Sequence, residues 1–337
     1  MRGIKEDRYN RFLHGLDNNR AGSHSAPLLS DAELMSKINY LTPKIKTNNT
    51  ICAIIIVIAF ILPFFLGLGD FSQIIGIVIM AIGAGFGVKA RQYKKQLKNL
   101  VGNNIVRGVL ADSFELENYS PGCHIRQNAI EHVKLIHQPW NQISGSDLVE
   151  GTYRGVKFTF SDLFLQHVTG SGKNRRVVTR FKGQWLIVEL AKNVPFKIQL
   201  RARSGTGGAG NKAKSDVETE NVEFNDKFWI TTGDPHTAFY VLTPHFMEYI
   251  LKAKSRSGAP ASLNIDGRKI HIALHNGRDL FEPCSKKLYD TRNIEMLRNQ
   301  MKWDINYITG IIDELLLNEN LFATTVGDDG YRPAQGG

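Results

Sequence analysis

Residues 51–88 carry a single charged side chain, Asp70, in an otherwise apolar run. Wound as one α-helix, the run would be about 57 Å long at 1.5 Å per residue. A bilayer core is about 30 Å thick and is crossed by about 20 apolar residues. One straight span is therefore too long, and two spans of 51–68 and 71–88 fit. Pro63 precedes "FFLGLGDFSQ", and Gly67, Gly69 and Asp70 place a tight helix–helix turn at 67–70. A core hairpin of a soluble protein is the competing reading. It is disfavoured because "ICAIIIVIAFILPFFLGL" has no polar face. In the second segment Gly76, Gly83 and Gly87 share one helix face, which suits close approach of the first segment or of a second copy of the chain. No charged side chain or histidine lies inside either segment, which argues against an ion or proton pathway built by the hairpin alone.

Positive charge flanks both outer ends of the hairpin. Lys44 and Lys46 precede it, and Lys89, Arg91, Lys94, Lys95 and Lys98 follow with no acid among them. The positive-inside rule then predicts a multi-pass protein with two cytoplasmic termini and an outward-facing turn. The first residues, "MRGIKEDRYNRFLHGLDNN", lack an apolar core, so no cleavable signal is expected. Cys52, Cys123 and Cys284 form no C-x-x-C pair, which fits a reducing compartment and speaks against a zinc ribbon or disulfide scaffold.

The remainder divides as follows. Residues 1–29 read as a flexible start. Residues 30–50 hold a short amphipathic helix that begins at a Ser30/Glu33 capping box and should end before Pro43. Residues 89–146 read as a helical connector, with a break at Gly102-Asn103-Asn104. Residues 147–322 read as a domain of short strands and helices, and 323–337 as a loose tail. Strand patterns cover "LVEGTYRGVKFTF", "VVTRFKGQWLIVELA", "PFKIQLRAR", "KFWITTG" and "SLNIDGRKIHIAL", with turns expected at Lys182-Gly183 and at Asp266-Gly267. Asp234-Pro235 and Thr243-Pro244 start two helices. Ile294, Leu297, Met301, Ile305, Ile308, Ile312 and Leu315 form the stripe of a long C-terminal amphipathic helix, facing its own domain or a second copy. The fold class is α+β: a two-helix transmembrane hairpin, then a strand-rich cytoplasmic domain closed by that helix.

The segments "DLVEGTYRGVKFTFSDL", "FKGQWLIVEL", "VEFNDKFWITTGDPHTAFYVLTPHFMEYIL" and "IIDELLLNENLF", behind a two-span hairpin, resemble the bacterial domain-of-unknown-function 3137 family. The resemblance extends over roughly 40–322, and 222–251 is its most specific block. It implies an inner-membrane protein with a cytoplasmic α+β domain. It supplies no catalytic residues.

Candidate chemistry is sparse. The Gly-rich segment 204–215 approximates dinucleotide and P-loop fingerprints, but the acidic "SDVETENVEFND" follows where a phosphate-binding helix should begin, so a surface loop is expected and no cofactor. His271 and His275 would lie about 13 Å apart along a strand, too far to share a metal, and no metal is expected. Asp234 and His236, with Thr243 or His245 nearby, are a candidate acid/base pair, but helix capping already explains Asp234 and Thr243. The strongest non-structural signal is charge. The chain has net charge +10, and 171–214 holds eleven basic residues against one acid, Glu189. Lys89, Arg91, Lys94, Lys95, Lys98, Arg175, Arg176, Arg201 and Arg203 are the candidate contacts to anionic lipid headgroups or an acidic protein partner. Nucleic acid is disfavoured, because no aromatic platform accompanies the charge. The expected function is a membrane-anchored binding or scaffolding module. A membrane-tethered enzyme of unknown reaction, or a subunit of a membrane assembly, is the alternative.

Overall fold

A computed structural model describes residues 29–66, 70–203, 215–257, 261–281 and 294–322. Residues 67–69 of the expected turn, 204–214 of the expected loop, Cys284, 1–28 of the expected flexible start and the tail at 323–337 lie outside these residues.

Helix α1 (Asp31–Leu66) and helix α2 (Asp70–Val101) pack side by side. Both are long and apolar enough to cross a membrane. The capping box forms as read: the Ser30 backbone N–H donates to the Glu33 carboxylate at 3.1 Å, and the Glu33 N–H donates to Ser30 Oγ at 3.4 Å. The glycine face of α2 meets α1. A Cβ on Gly83 would stand 3.0 Å from Ile55 Cγ2, and one on Gly87 3.3 Å from Cys52 Sγ, so both glycines set the helix separation. The expected stop before Pro43 is corrected, because α1 runs through it without interruption. The exposed Pro43 ring faces outward, while Leu41 and Ile45 on either side are buried in the domain core. The lost hydrogen bond therefore falls on the solvent side.

Gly102-Asn103-Asn104 does not end the second helix. The chain passes through a π-helical turn (Gly102–Val106) into α3 (Arg107–Ser113). Asn104 bridges the turn, its Nδ2 donating to the Leu100 carbonyl and its Oδ1 accepting from the Leu29 N–H at 2.9 Å. The helical character expected to residue 146 stops at Ser113. Strand β1 (Glu115–Ser120) follows, then α4 (Gln127–Val133), and β2 (Gln142–Tyr153) starts ahead of the expected boundary at 147. β1 is an edge strand with alternating partial burial, a weak signal in sequence.

The sheet is antiparallel in the order β1-β2-β3-β4-β5, with β3 at Val156–Thr169, β4 at Arg176–Ala202 and β5 at Phe228–Thr232. Strand β6 (Ala261–Leu274) runs antiparallel along the other side of β4. Arg154 and Gly155, both at positive φ, close a two-residue turn between β2 and β3. Two expected turns are absent. β4 continues through Lys182-Gly183, where a Gly183 side chain would meet the Leu274 carbonyl oxygen at 2.0 Å, so this glycine serves the close approach of β6. β6 continues through Asp266-Gly267, and Gly267 at φ 60° sits at a bulge opposite Val194 rather than in a hairpin.

Helices flank the sheet. α5 (Val222–Lys227) is short and is capped by Asn221, whose side chain accepts from the Phe224 N–H; it occupies the end of the acidic stretch "SDVETENVEFND". α6 (Pro235–Val241) and α7 (Pro244–Ser257) start at the expected Asp-Pro and Thr-Pro pairs. α8 (Ile294–Leu316) buries every residue of the expected stripe in the main core, and a short α9 (Glu319–Phe322) follows. One sheet face, with Phe158, Phe160, Leu186 and Val188, shares that core with the domain ends of α1 and α2 and with α8. The other face packs Leu163, Leu165, Phe181 and Trp185 against Ile130 and Val133 of α4. Neighbouring strand positions thus serve two cores, as the two-residue strand period requires.

Candidate functional site

The groups of most chemical consequence gather where α2 meets the sheet. Lys98 leaves α2 and reaches Asp147 of β2, with Nζ 2.8 Å from Oδ2; the Asp147 side chain is wholly buried. Asp147 sits at a bulge in β2 with φ 58°, which turns its carboxylate inward. Its other oxygen accepts from the Tyr119 hydroxyl at 2.8 Å. Tyr119 can come this close partly because residue 102 is glycine: a Cβ there would stand 3.1 Å from the Tyr119 oxygen. Burial outweighs Lys98 and pushes the Asp147 carboxyl up to about 6.

Asp162 of β3 lies beside it. Its carboxylate accepts from Gln184 Nε2 and from the Leu280 N–H, both at 2.8 Å. Burial, and then the neighbouring Asp279 carboxylate, hold Asp162 well above the usual carboxylate range. Asp279 accepts from Ser146 Oγ at 3.2 Å. Gln184 also donates to the Arg278 carbonyl at 3.0 Å and accepts from Asn276. This network fastens the segment after β6 to β2, β3 and β4. Next to it is a cavity of about 370 Å³, whose polar lining includes Lys98, Ser146, Asp162, Lys182, Arg278 and Asp279.

One oxygen from each of Asp147, Asp162 and Asp279 falls within 4.8 Å of the others, so these are the described residues that could hold a metal ion. The donor set fits a cation poorly. The Lys98 ammonium already neutralises Asp147, and burial together with the Asp279 carboxylate disfavours negative charge on Asp162. Sequence reading missed this cluster. Its acids come from three separate segments, and the only hint was Lys98, which had been grouped with the basic collar.

The nine basic candidates do not form one face. Lys89, Arg91, Lys94 and Lys95 are exposed on α2 just past residue 88. Lys98 turns into the domain. Arg175 and Arg176 are exposed at the connection from β3 to β4. Arg201 is corrected as a surface contact: it is buried on β4, donates to Thr231 Oγ1 at 3.0 Å, and burial lowers its pKa. Arg203 is exposed and lies over the Trp229 ring at 5.2 Å. The acid/base candidates have structural partners. Asp234 caps α6, accepting from the Thr237 N–H and hydroxyl at 2.8 Å, while His236 is exposed. Thr243 Oγ1 accepts from the Phe246 N–H, and His245 stands 3.7 Å from Glu314. His271 is buried on β6, and its Nδ1 lies 3.3 Å from the Trp185 indole nitrogen. Burial depresses it to about 3, so the ring is neutral and accepts that bond. His275 lies past the end of β6, against Phe181.

The family model described as "Protein of unknown function (DUF3137)" matches residues 179–317, from within β4 to the end of α8. This bears out the family resemblance over that region. No curated protein matches the chain. Among solved structures, the crystal structure of the mycobacterial trehalose monomycolate transport factor A, TtfA, is similar at 9% identity, covering 62% of this chain and 95% of that chain. The TM-score is 0.29, too slight a likeness to carry an argument about fold or role.

Proposed function

We propose that the protein is a membrane-anchored binding or scaffolding module, held by the α1–α2 hairpin in a bacterial inner membrane with its sheet domain on the cytoplasmic side. The observation that carries this reading is continuity. α2 is apolar over residues 74–88 and exposed there on the side away from α1, yet the same helix buries Leu97 and Val101 in the domain core and delivers Lys98 to Asp147. Such a helix fixes the domain relative to the bilayer, where a loose linker would let it swing.

The exposed collar Lys89, Arg91, Lys94 and Lys95 is the lipid contact in this reading. Lys95 stands about 10 Å beyond residue 88 along the helix, roughly one Debye length. Each such cation near an anionic leaflet is worth about 1 kcal/mol. Lys98 drops out of the lipid set because Asp147 engages its charge inside the protein, and Arg201 because it is buried.

Membranes from cells expressing the full chain test the anchor. The protein should resist alkaline carbonate extraction, and a reporter fused at residue 337 should lie on the cytoplasmic side. Release by carbonate, or an outer-face reporter, would overturn the reading. Replacing the four collar residues by Gln should leave the protein in the membrane and abolish any preference for anionic over zwitterionic vesicles on reconstitution.

A further inference from the structure

The β3–β4 pair extends past the rest of the sheet. β4 pairs with β3 from Arg176 to Val188, while β6 joins its opposite side only at Gln184. The Lys182 carbonyl on that side accepts from the Gly277 N–H. Among the described residues, no strand pairs with 176–181 on this second side. That leaves about 20 Å of β-edge, enough for a strand of ordinary length.

The sequence of this edge, "RRVVTRF", is strongly strand-forming. Val177 and Val178 point to opposite faces and are 42% and 45% exposed, so both faces stand in solvent there, up to the buried Phe181. No acid occurs from Ser171 to Val188, while Lys173, Arg175, Arg176, Arg180 and Lys182 are basic. Arg176 and Val178 share one face of the strand, whereas the β3–β4 register shifts at Arg180, whose guanidinium donates to Gln138 Oε1 at 2.8 Å and to the Pro139 carbonyl at 3.3 Å. Charge on an edge is a common guard against unwanted pairing. Here the guard has one sign. It repels a second copy of the same edge, since like charges would oppose each other, and it favours an incoming strand with acids near the exposed Arg175 and Arg176.

We propose that residues 176–181 of β4 form a docking edge that takes an extended acidic segment of a partner protein as an added strand. Backbone hydrogen bonds would supply the pairing, and the exposed Arg175 and Arg176 would select for acids. The inference goes beyond membrane anchoring and does not depend on it.

The test uses the full chain in zwitterionic nanodiscs and the peptide Thr-Glu-Thr-Val-Thr-Glu-Thr as probe. Fluorescence anisotropy should show saturable binding. Amide hydrogen exchange should show new protection at alternate residues within 176–181. A peptide with Pro in place of the two Thr residues flanking Val, equal in charge but unable to pair, should bind at least tenfold more weakly. The exposed pair Arg175→Glu with Arg176→Glu should lose at least tenfold in affinity with its thermal unfolding unchanged. No peptide binding, equal binding of the Pro peptide, or binding without protection at 176–181 would each overturn the proposal. So would protection of this edge by phosphatidylglycerol vesicles but not by the peptide, which would assign the arginines to the membrane.

Discussion

The helical hairpin and the sheet domain use the same residue types in opposite senses. In the hairpin the large apolar side chains face outward, with Phe60 69% and Ile77 65% exposed, and glycines occupy the helix–helix seam. In the sheet domain Phe160, Phe181 and Trp185 are fully buried. Apolar content alone therefore does not say where a core lies. What separates the regions is patterning: an all-round apolar helix expects an apolar solvent, and an alternating strand expects water on one side. α2 belongs to both regions. It exchanges one pattern for the other between residues 88 and 97, where the lysine collar sits.

Truncation of matched residues is the strongest way to break this comparison. Phe160→Ala should destabilise the domain by about 4 kcal/mol, the range for removing a buried aromatic ring, whereas Phe60→Ala should leave domain stability unchanged. Urea unfolding of the full chain in micelles reads this cleanly, because all four tryptophans (Trp140, Trp185, Trp229 and Trp303) lie outside the hairpin. Equal losses from the two variants would mean that the outward hairpin face packs on protein rather than lipid.

The second effect sits at the junction. Lys98→Met leaves the buried Asp147 carboxylate without its cation and should cost about 3 kcal/mol at pH 7.5. The loss should shrink as pH falls and Asp147 takes up a proton. The native protein has a related pH dependence. The Asp147 carboxyl moves from an ordinary value of 3.8 to about 6 on folding, so between those values the folded state holds more protons than the unfolded one. Stability attributable to this group is then highest below pH 4 and falls by about 3 kcal/mol as pH rises through 6, with Asp162 acting in the same direction. Asp147→Asn should flatten that part of the profile. Urea midpoints measured from pH 4 to pH 8 check both statements, and a Lys98→Met loss independent of pH would separate Lys98 from Asp147.

What was legible in sequence follows from the range of the interactions involved. The capping box at Ser30, the Asp234 and Thr243 caps, the stripe of α8 and the paired glycines are local patterns, and the structure places each as read. Local chemistry favours turns at Gly183 and Gly267. In the structure they answer to β6, a strand far away in sequence that needs close approach at one position and a bulge at the other. Arg201 looked like a surface charge for the same reason: strand alternation gives a face but does not say which faces are covered. The acid cluster was illegible because Asp147, Asp162 and Asp279 are brought together only by the whole sheet and the segment after β6.

The smallest expected effect compares two ties between the N-terminal helices and the sheet domain. Arg298 of α8 grips Asp31 at the start of α1 with two hydrogen bonds, at 2.7 and 2.9 Å, and this contact lowers the Asp31 pKa. By geometry it is as well formed as Lys98–Asp147. Yet both partners are largely exposed, at 42% and 56%, so water and salt already solvate each charge well when the other is removed. Arg298→Ala should therefore shift the urea midpoint by no more than the error of the titration, at any pH from 5 to 8. A shift comparable to that of Lys98→Met would show that the domain is fixed to the hairpin at the start of α1 as firmly as at the end of α2. Burial would then not be what ranks the two contacts.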